Sequence, residues 1–338
     1  MIRHGLIRCA AAAVLFGVSA PLAAKIADDV SAFTLAGLLY VGAATAVAPW
    51  VIRKPPSAHS VRRGGRRLAA AVVFGGAVGP LLLAVGLRHA SPSTSSLLLN
   101  LELVFTVVIA AVVFREHVGP RVAMGTALVV AASVLLAGGG TDVRAGALLI
   151  AAACACWAVD NCVTAGLDEL SAASITLVKG IVAGTVNLAI GLVLGGVPPA
   201  GVALTALVIG AFGYGASITL WVAGARELGA ARGQLVFATA PFVGAVVAWT
   251  LLADDVTARA VAALAIAAAG VAMVLRTAHA HEHRHAAVVH DHEHVHDDGH
   301  HTHVHADGFT GRHQHPHEHA ALVHAHPHLP DLHHRHAH

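Results

Sequence analysis

Charged residues are scarce in this sequence. Asp, Glu, Lys and Arg make up only 12% of its 338 residues, roughly half the share found in soluble domains. Aromatic residues are also few, at 4%, whereas hydrophobic residues reach 56%. A chain with so little charge cannot cover the surface of a cytosolic enzyme, and a chain so rich in apolar side chains does not stay disordered. The composition therefore indicates a protein that crosses a membrane many times.

Cysteine is rare, and all four cysteines lie inside apolar runs: Cys9, Cys154, Cys156 and Cys162. This excludes a secreted disulfide scaffold, which needs paired cysteines in an oxidising compartment. We expect these thiols to be small packing residues in membrane helices. Cys156 and Asp160 are four residues apart on one helix face, a spacing that suits two ligands of a soft metal, but two ligands do not make a site.

The sequence shows no nucleophile motif, no phosphate-cradling loop, no catalytic dyad and no ATP-binding motif. We therefore expect that the protein is not an enzyme and requires no cofactor. Any transport it performs must be driven by an ion or solute gradient.

Apolar runs long enough to span a bilayer dominate the chain, since a membrane helix needs about 20 largely apolar residues. Ten runs can be drawn: 6–24, 31–52, 68–87, 93–114, 121–138, 145–166, 172–195, 201–224, 231–252 and 257–275. Only Pro198-Pro199 divides the seventh run from the eighth. The first run could also be read as a cleaved signal peptide. The ten runs predict an all-α integral membrane protein with ten transmembrane helices.

Lys and Arg are distributed unevenly between the two sets of loops. With the N-terminus inside, the cytoplasmic side collects Arg3, Arg8, Arg53, Lys54, Arg62, Arg63, Arg66, Arg67, Arg115, Arg121, Arg226, Arg232 and Arg276, and the outside collects Lys25, Arg88, Arg144 and Arg259. This asymmetry predicts cytoplasmic N- and C-termini in a plasma (inner) membrane. The basic cluster at 62–67 fits an orientation signal that touches anionic lipid better than a nucleic-acid patch.

The two halves of the apolar region resemble each other at an offset of 138 residues. Arg88 corresponds to Arg226, and Glu116 corresponds to Asp254. Two repeats of five helices must be inverted, because an odd number of helices flips the second copy, and inverted repeats around a midplane site are typical of secondary transporters. We predict a first repeat at 1–138, a second at 139–276 and a tail at 277–338.

Several stretches resemble the drug/metabolite transporter superfamily, EamA type, over residues 6–276. They are Phe16–Pro21 with Lys25, Leu99–Phe105, Phe114–Val118 and Phe237–Phe242. Leu103 departs from the family, which usually has there the proline that Pro241 supplies in the second copy, so a break in the fourth helix is left open. Asp254-Asp255 stands where a Glu is usual. The resemblance implies ten helices around a central cavity and export of small metabolites, drugs or amino acids.

Ionisable side chains inside the predicted spans are the candidate transport residues, since each costs about 2.5–3.5 kcal/mol on insertion scales. Glu102 lies near the middle of the fourth run, where a carboxyl group that gains and loses a proton could couple transport to a proton gradient. A neutral, hydrogen-bonded structural role is the alternative. Asn100 is a further polar candidate, although it points elsewhere on the helix.

Asp160 and Lys179 are predicted to pair. They lie at about 9 and 12 Å from the same end of neighbouring antiparallel helices, and a paired buried charge costs less than two lone ones. The pair is either a structural salt bridge or one that breaks and re-forms during transport. Pro241 completes the set of transport candidates.

Histidine dominates the tail, which holds most of the 27 histidines in the chain. The tail has few apolar side chains, so we predict a disordered cytoplasmic segment. Alternating imidazoles predict weak, exchangeable binding of divalent Zn, Ni, Co or Cu. The candidate ligands are His281, His283, His285, His290, His292, His294, His296, His301, His303, His305, His315, His317 and His319. A pH-sensitive polyelectrolyte and a low-complexity expansion remain alternatives.

Together these features predict a secondary active exporter of a small organic metabolite or drug, working by alternating access and carrying a metal-binding cytoplasmic tail. The alternative is an exporter of a transition-metal ion (Zn, Ni or Co) or a metal-responsive membrane protein. The expected partners are a small-molecule solute, the lipid bilayer and divalent metal ions, with no nucleic acid. A homodimer is compatible with the sequence.

Overall fold

The computed structural model of the chain describes residues 2–113, 119–138, 141–164, 167, 169–228, 233, 236–275 and four tail segments, 279–285, 288–294, 313–319 and 322–328. The motif Phe114–Val118 lies outside these residues. In the tail segments the description is of the backbone alone.

Ten apolar helices form the membrane part of the described chain. They are α1 (Ile2–Ile26), α2 (Ala32–Arg53), α3 (Gly65–Gly86), α4 (Pro92–Val113), α5 (Pro120–Ala137), α6 (Thr141–Thr164), α7 (Ala172–Gly195), α8 (Ala200–Gly224), α9 (Ala240–Leu251) and α10 (Ala258–Leu275). The first eight are long and apolar enough to cross a membrane, and the last two are shorter apolar helices. The predicted all-α membrane fold is confirmed, and Pro198-Pro199 separates α7 from α8 as expected.

Serine caps mark several helix starts. The side-chain oxygens of Ser31, Ser91 and Ser171 each accept a hydrogen bond from the backbone N–H three residues later, at the starts of α2, α4 and α7. Such caps satisfy an N–H group that has no partner inside the helix. The short helix Ala58–Arg63 between α2 and α3 is capped in the same way by Ser57.

Helix packing follows the correspondence between the two halves. At the offset of 138 residues, the helix pair α1–α8 corresponds to the pair α6–α3, and the pair α1–α9 corresponds to α6–α4. All four pairs are in contact. Corresponding helices also pack on each other, namely α2 on α7, α4 on α9 and α5 on α10. This is the packing expected around a pseudo-twofold axis.

Local irregularities also recur in the two halves. A π-helical segment interrupts α3 at Ala71–Val78 and α8 at Gly210–Ala216, which are equivalent positions at the offset of 138. A third π-helical segment, Gly180–Gly184, lies in α7. Because π-helical turns widen the helix and often occur at functional sites, α3 and α8 are candidates to line such a site.

A break divides α4, although Leu103 stands where the family usually has a proline. The helix stops at Leu98, turns at Leu99 and Asn100, and resumes as Leu101–Val113. Asn100 Nδ2 donates to the carbonyl oxygen of Leu97 at 2.9 Å, a local bond that competes with continuous helix. In the second half a turn at Ala238 and Thr239 precedes α9, so both halves carry a break.

Four short strands occur in the tail: β1 (His279–His285), β2 (Val288–His294), β3 (His313–His319) and β4 (Leu322–His328). β1 pairs with β4 and β2 with β3, both antiparallel. The alternation of histidine with other residues has the period of two that matches a strand.

Candidate functional site

An ion pair joins α6 to α7 inside the bundle. Lys179 Nζ lies 2.5 Å from Asp160 Oδ2, and the two side chains are only 12% and 9% exposed. The contact predicted from the depths of the two residues is therefore present. Asp160 Oδ1 has no hydrogen-bond partner among the described residues, which leaves a buried carboxylate oxygen able to accept another donor.

Gly75, in the π-helical segment of α3, makes room for this ion pair. A side chain at position 75 would collide with the carboxylate of Asp160. The carbonyl oxygen of Gly75 accepts hydrogen bonds from Tyr40 Oη and from Trp157 Nε1, the second at 3.3 Å. Helices α2, α3, α6 and α7 thus meet at one point, and a glycine is needed there because backbone and carboxylate approach so closely.

Glu102 is bound by a residue that we did not identify from the sequence. Asn161 Nδ2 donates to Glu102 Oε1 at 2.6 Å, which joins α4 to α6. Asn161 directly follows Asp160, so a single helix turn of α6 carries both polar contacts, and Glu102 lies within electrostatic range of Asp160 and Lys179. The signal in the sequence was two consecutive polar residues in an apolar helix.

The remaining two candidates lie at the helix breaks. Asn100 is 5% exposed and bonds within its own turn, so it is not a partner of Glu102. Pro241 is the second residue of α9, where the missing N–H of a proline is tolerated. The structure brings together Glu102, Asp160 and Lys179, and it leaves the other two as parts of the breaks.

A row of aromatic rings leads from α8 and the residues just before α9 toward this polar cluster. Neighbouring ring centroids along the row are 5.3–5.9 Å apart, which is within the range of favourable aromatic pairs. The order of the rings is Trp221, Phe237, Phe16, Tyr214 and Tyr40. Sequence reasoning missed the row, whose members are separated widely along the chain.

The end of the bundle that contains Ser93 and Asp254, called here the closed end, is sealed by packing and hydrogen bonds. Asp254 Oδ2 accepts from the backbone N–H of Ser93 at 2.8 Å. The guanidinium of Arg88 donates to the carbonyl oxygens of Ala27 and Val30. The serines of α4 nearest this end are at most 1% exposed: Ser93, Ser95 and Ser96.

The opposite end, which contains Thr164 and is called here the open end, gives solvent access to the interior face of two helices. Cys154 and Trp157 are buried at 0% and 6% exposure, yet Asn161 on the same face of α6 is exposed, since residues four and seven apart share a face. On α4, Leu98 is 0% exposed, whereas Glu102 and Thr106, further toward this end, are half-buried. Polar side chains near the cluster are therefore more exposed toward this end than toward the closed end.

Metal ligands do not gather in the described part of the membrane region. Among the described side chains there is no group of three or more His, Cys, Asp or Glu that could hold a metal ion. All four cysteines are thiols rather than disulfides. In the tail, His281, His283, His285, His290, His292, His294, His315, His317 and His319 lie on the four strands, and His296, His301, His303 and His305 lie outside the described residues.

Comparison with known proteins identifies relatives of the whole membrane region. The EamA-like transporter family matches residues 3–138 and again residues 144–276. An uncharacterised transporter of Methanothermobacter thermautotrophicus is 26% identical over 275 residues, which cover 74% of this chain and 80% of that protein. One crystal structure superposes with a TM-score of 0.60 at 18% identity, covering 81% of this chain and 97% of the other, and shows a shared fold.

The family match extends over most of the chain and repeats in its two halves. Because members of this family are transporters, the expectation that the protein is not an enzyme is confirmed, and so is the resemblance found in the sequence. The protein is a multi-pass membrane transporter, and it belongs to the EamA-like transporter family.

Proposed function

We propose that this transporter lies in the plasma membrane with both termini in the cytoplasm, and that it exports a small organic solute by alternating access. The observation that carries the proposal is the difference in exposure between the two ends of the bundle, with buried serines at the closed end and a half-buried Glu102 and an exposed Asn161 toward the open end. With the predicted orientation the open end faces the cytoplasm, so a cytoplasmic solute reaches the polar cluster first. The excess of Lys and Arg on the same side supports that orientation.

The polar cluster supplies the groups that a solute and a coupling ion would need. Glu102 presents a half-buried carboxyl group, held by Asn161. Asp160 keeps one buried oxygen without a partner, next to the ammonium group of Lys179. We propose that Glu102 binds the coupling proton or a cationic group of the solute. The Asp160–Lys179 pair would then respond by exchanging partners as the open end closes.

We further propose that the tail binds divalent Zn, Ni, Co or Cu at the cytoplasmic surface and adjusts transport. The transport step itself requires no cofactor in this proposal. An organic solute is favoured over a metal cargo because the described membrane region offers no group of three metal-ligating side chains. A metal pathway would need several such ligands near the midplane.

The experiment is flux through proteoliposomes that contain the purified full-length protein. A panel of amino acids, small organic solutes and Zn²⁺ or Ni²⁺ is tested under an imposed pH gradient. The variant is Glu102→Gln, which preserves size and hydrogen bonding but cannot carry a negative charge or release a proton. The matched control is Asp28→Asn, the same carboxylate-to-amide change at an exposed residue of the α1–α2 loop.

The proposal predicts gradient-driven flux of an organic solute by the native protein and by Asp28→Asn. It also predicts that a normally folded Glu102→Gln loses this flux. Undiminished flux through Glu102→Gln would remove Glu102 from coupling. Saturable flux of the metal alone would replace the organic solute with a metal cargo.

A further inference from the structure

Cations are concentrated in the connection between α2 and α3, called here the basic segment (residues 53–67). The segment contains no carboxylate. Its basic side chains are all exposed: Arg53, Lys54, Arg62, Arg63, Arg66 and Arg67. The equivalent residues of the second half at the offset of 138, residues 191–205, carry no charge. The fold of the repeat therefore does not require these cations.

The basic segment is docked on the connection between α6 and α7. A small apolar cluster, separate from the large core, joins the two connections: Leu68, Leu167, Leu170 and Ile175, with Val61 packed against them. Arg63 Nη1 donates to Glu169 Oε1 at 2.8 Å. A side chain at Gly64 would approach Leu167 Cδ2 to 2.7 Å. The basic segment is thus a surface held in place by packing and by an ion pair.

Most of the positive charge on this surface is not balanced within the protein. Among the described residues, no carboxylate lies within ion-pair distance of Arg53, Lys54, Arg62 or Arg66. Arg66 lies in the first turn of α3, where no described side chain caps the start of the helix. A cation at a helix N-terminus is unfavourable, whereas an anion there is stabilised by the helix dipole. The surface therefore favours an anionic partner.

The surface lies at the level of the lipid headgroups. The span α2 ends at Arg53, and the span α3 begins at Gly65. One turn before the end of α2, Trp50 is 63% exposed, and exposed tryptophans at the ends of spans are typical of the membrane–water interface. Lys and Arg at this level attract anionic headgroups, and guanidinium groups bind phosphate oxygens in a bidentate fashion.

We propose that the basic segment binds the phosphate headgroups of anionic lipids, chiefly through Arg62 and Arg66. The backbone at Gly64 between them stays in the right-handed helical region, so these two residues, four apart, lie on one side. A bound lipid would stabilise the docking of the segment. Because Ile175 of the docking cluster is one turn from Lys179 on α7, this docking also supports a helix of the ion pair. The inference does not depend on the solute or on the direction of transport.

The test titrates short-chain phosphatidylglycerol into full-length protein in a neutral detergent. The melting temperature reports binding, because a ligand that binds only the folded state raises it. Short-chain phosphatidylcholine and inorganic phosphate are titrated in parallel. The test variant is Arg62→Gln/Arg66→Gln. The matched control, Arg144→Gln/Arg259→Gln, makes the same change at exposed residues near the closed end. A third variant, Leu167→Ala, keeps every cation but removes a docking side chain.

We expect phosphatidylglycerol, and not phosphatidylcholine, to raise the melting temperature of the native protein and of the matched control. In Arg62→Gln/Arg66→Gln the apparent affinity for phosphatidylglycerol should fall roughly 30-fold, and in Leu167→Ala it should fall by a smaller factor. Equal affinities of the test variant and the matched control would overturn the proposal. An unchanged affinity of Leu167→Ala would overturn the docked surface in favour of charge alone. An equal response to inorganic phosphate would replace lipid with a free anion.

Discussion

Asp160 and Lys179 illustrate how a single buried pair links several helices. Their ion pair joins α6 to α7, and the Asp160 carboxylate lies against Gly75 of α3. Sequence reasoning could place the pair, because helix rise converts residue number into depth. It could not find the contact with Gly75 or the bond from Asn161 to Glu102, since those depend on how the helices rotate against each other.

Neutralising one partner of this pair should damage the protein more than neutralising both. Asp160→Asn or Lys179→Met alone leaves an uncompensated buried charge and should lower the free energy of unfolding by about 3–5 kcal/mol. The double variant should recover most of that loss, because neither charge remains. Unfolding of the three variants in detergent gives the comparison. A double variant as unstable as the sum of the singles would show that the residues do not act as a pair.

Gly75→Ala should disturb the same site by a different route. The added methyl group would collide with the Asp160 carboxylate, so we expect a loss of both stability and flux. Gly65→Ala is the matched control, because an added Cβ there meets no other atom within 4 Å, and the change should stabilise by up to about 1 kcal/mol. Thermal unfolding and proteoliposome flux are measured for both. A harmless Gly75→Ala would contradict the close approach of α3 to α6.

Among the helices, α4 shows where local sequence fails to specify structure. Hydropathy located the spans because the bilayer sets their length. The break at Leu99 and Asn100 was left open because proline is the usual signal and α4 has none there. The π-helical segments of α3 and α8 contain two and three glycines, but glycine alone does not predict a π-helical turn, so these segments were not anticipated from the sequence.

A proline should be tolerated where α4 has just resumed. Leu103 is the third residue of the second segment, Leu101–Val113, so Leu103→Pro removes an N–H that bonds only to the carbonyl oxygen of Asn100 in the turn. We expect a loss well under the roughly 3 kcal/mol that a mid-helix proline costs. Val107→Pro, also at a half-buried position but one turn further on, should show the full loss. Equal destabilisation of the two variants would mean that α4 is continuous in solution.

At the scale of the whole molecule, the two halves are built alike, as the proposed alternating access requires. Equivalent helices make equivalent contacts in the two halves, and both halves carry a π-helical segment and a break. In the proposed mechanism, such a bundle would seal one end by the contacts that the other end loses.

The proposed alternation of solvent access between the closed end and the open end can be measured on one helix, α4. Ser95 and Thr106 lie on either side of Glu102 along α4, seven residues before it and four after it. Ser95 is 0% exposed and Thr106 is half-buried toward the open end. In protein whose four native cysteines are replaced, Ser95→Cys and Thr106→Cys are labelled in vesicles with a membrane-impermeant maleimide from either side.

Without solute, we predict that Thr106→Cys reacts from the side of the termini only and that Ser95→Cys reacts from neither side. During transport of the solute, Ser95→Cys should become reactive from the opposite side while labelling of Thr106→Cys slows. Labelling of both positions at once from opposite sides, or a Ser95→Cys that stays unreactive while solute crosses the membrane, would contradict alternating access through this site.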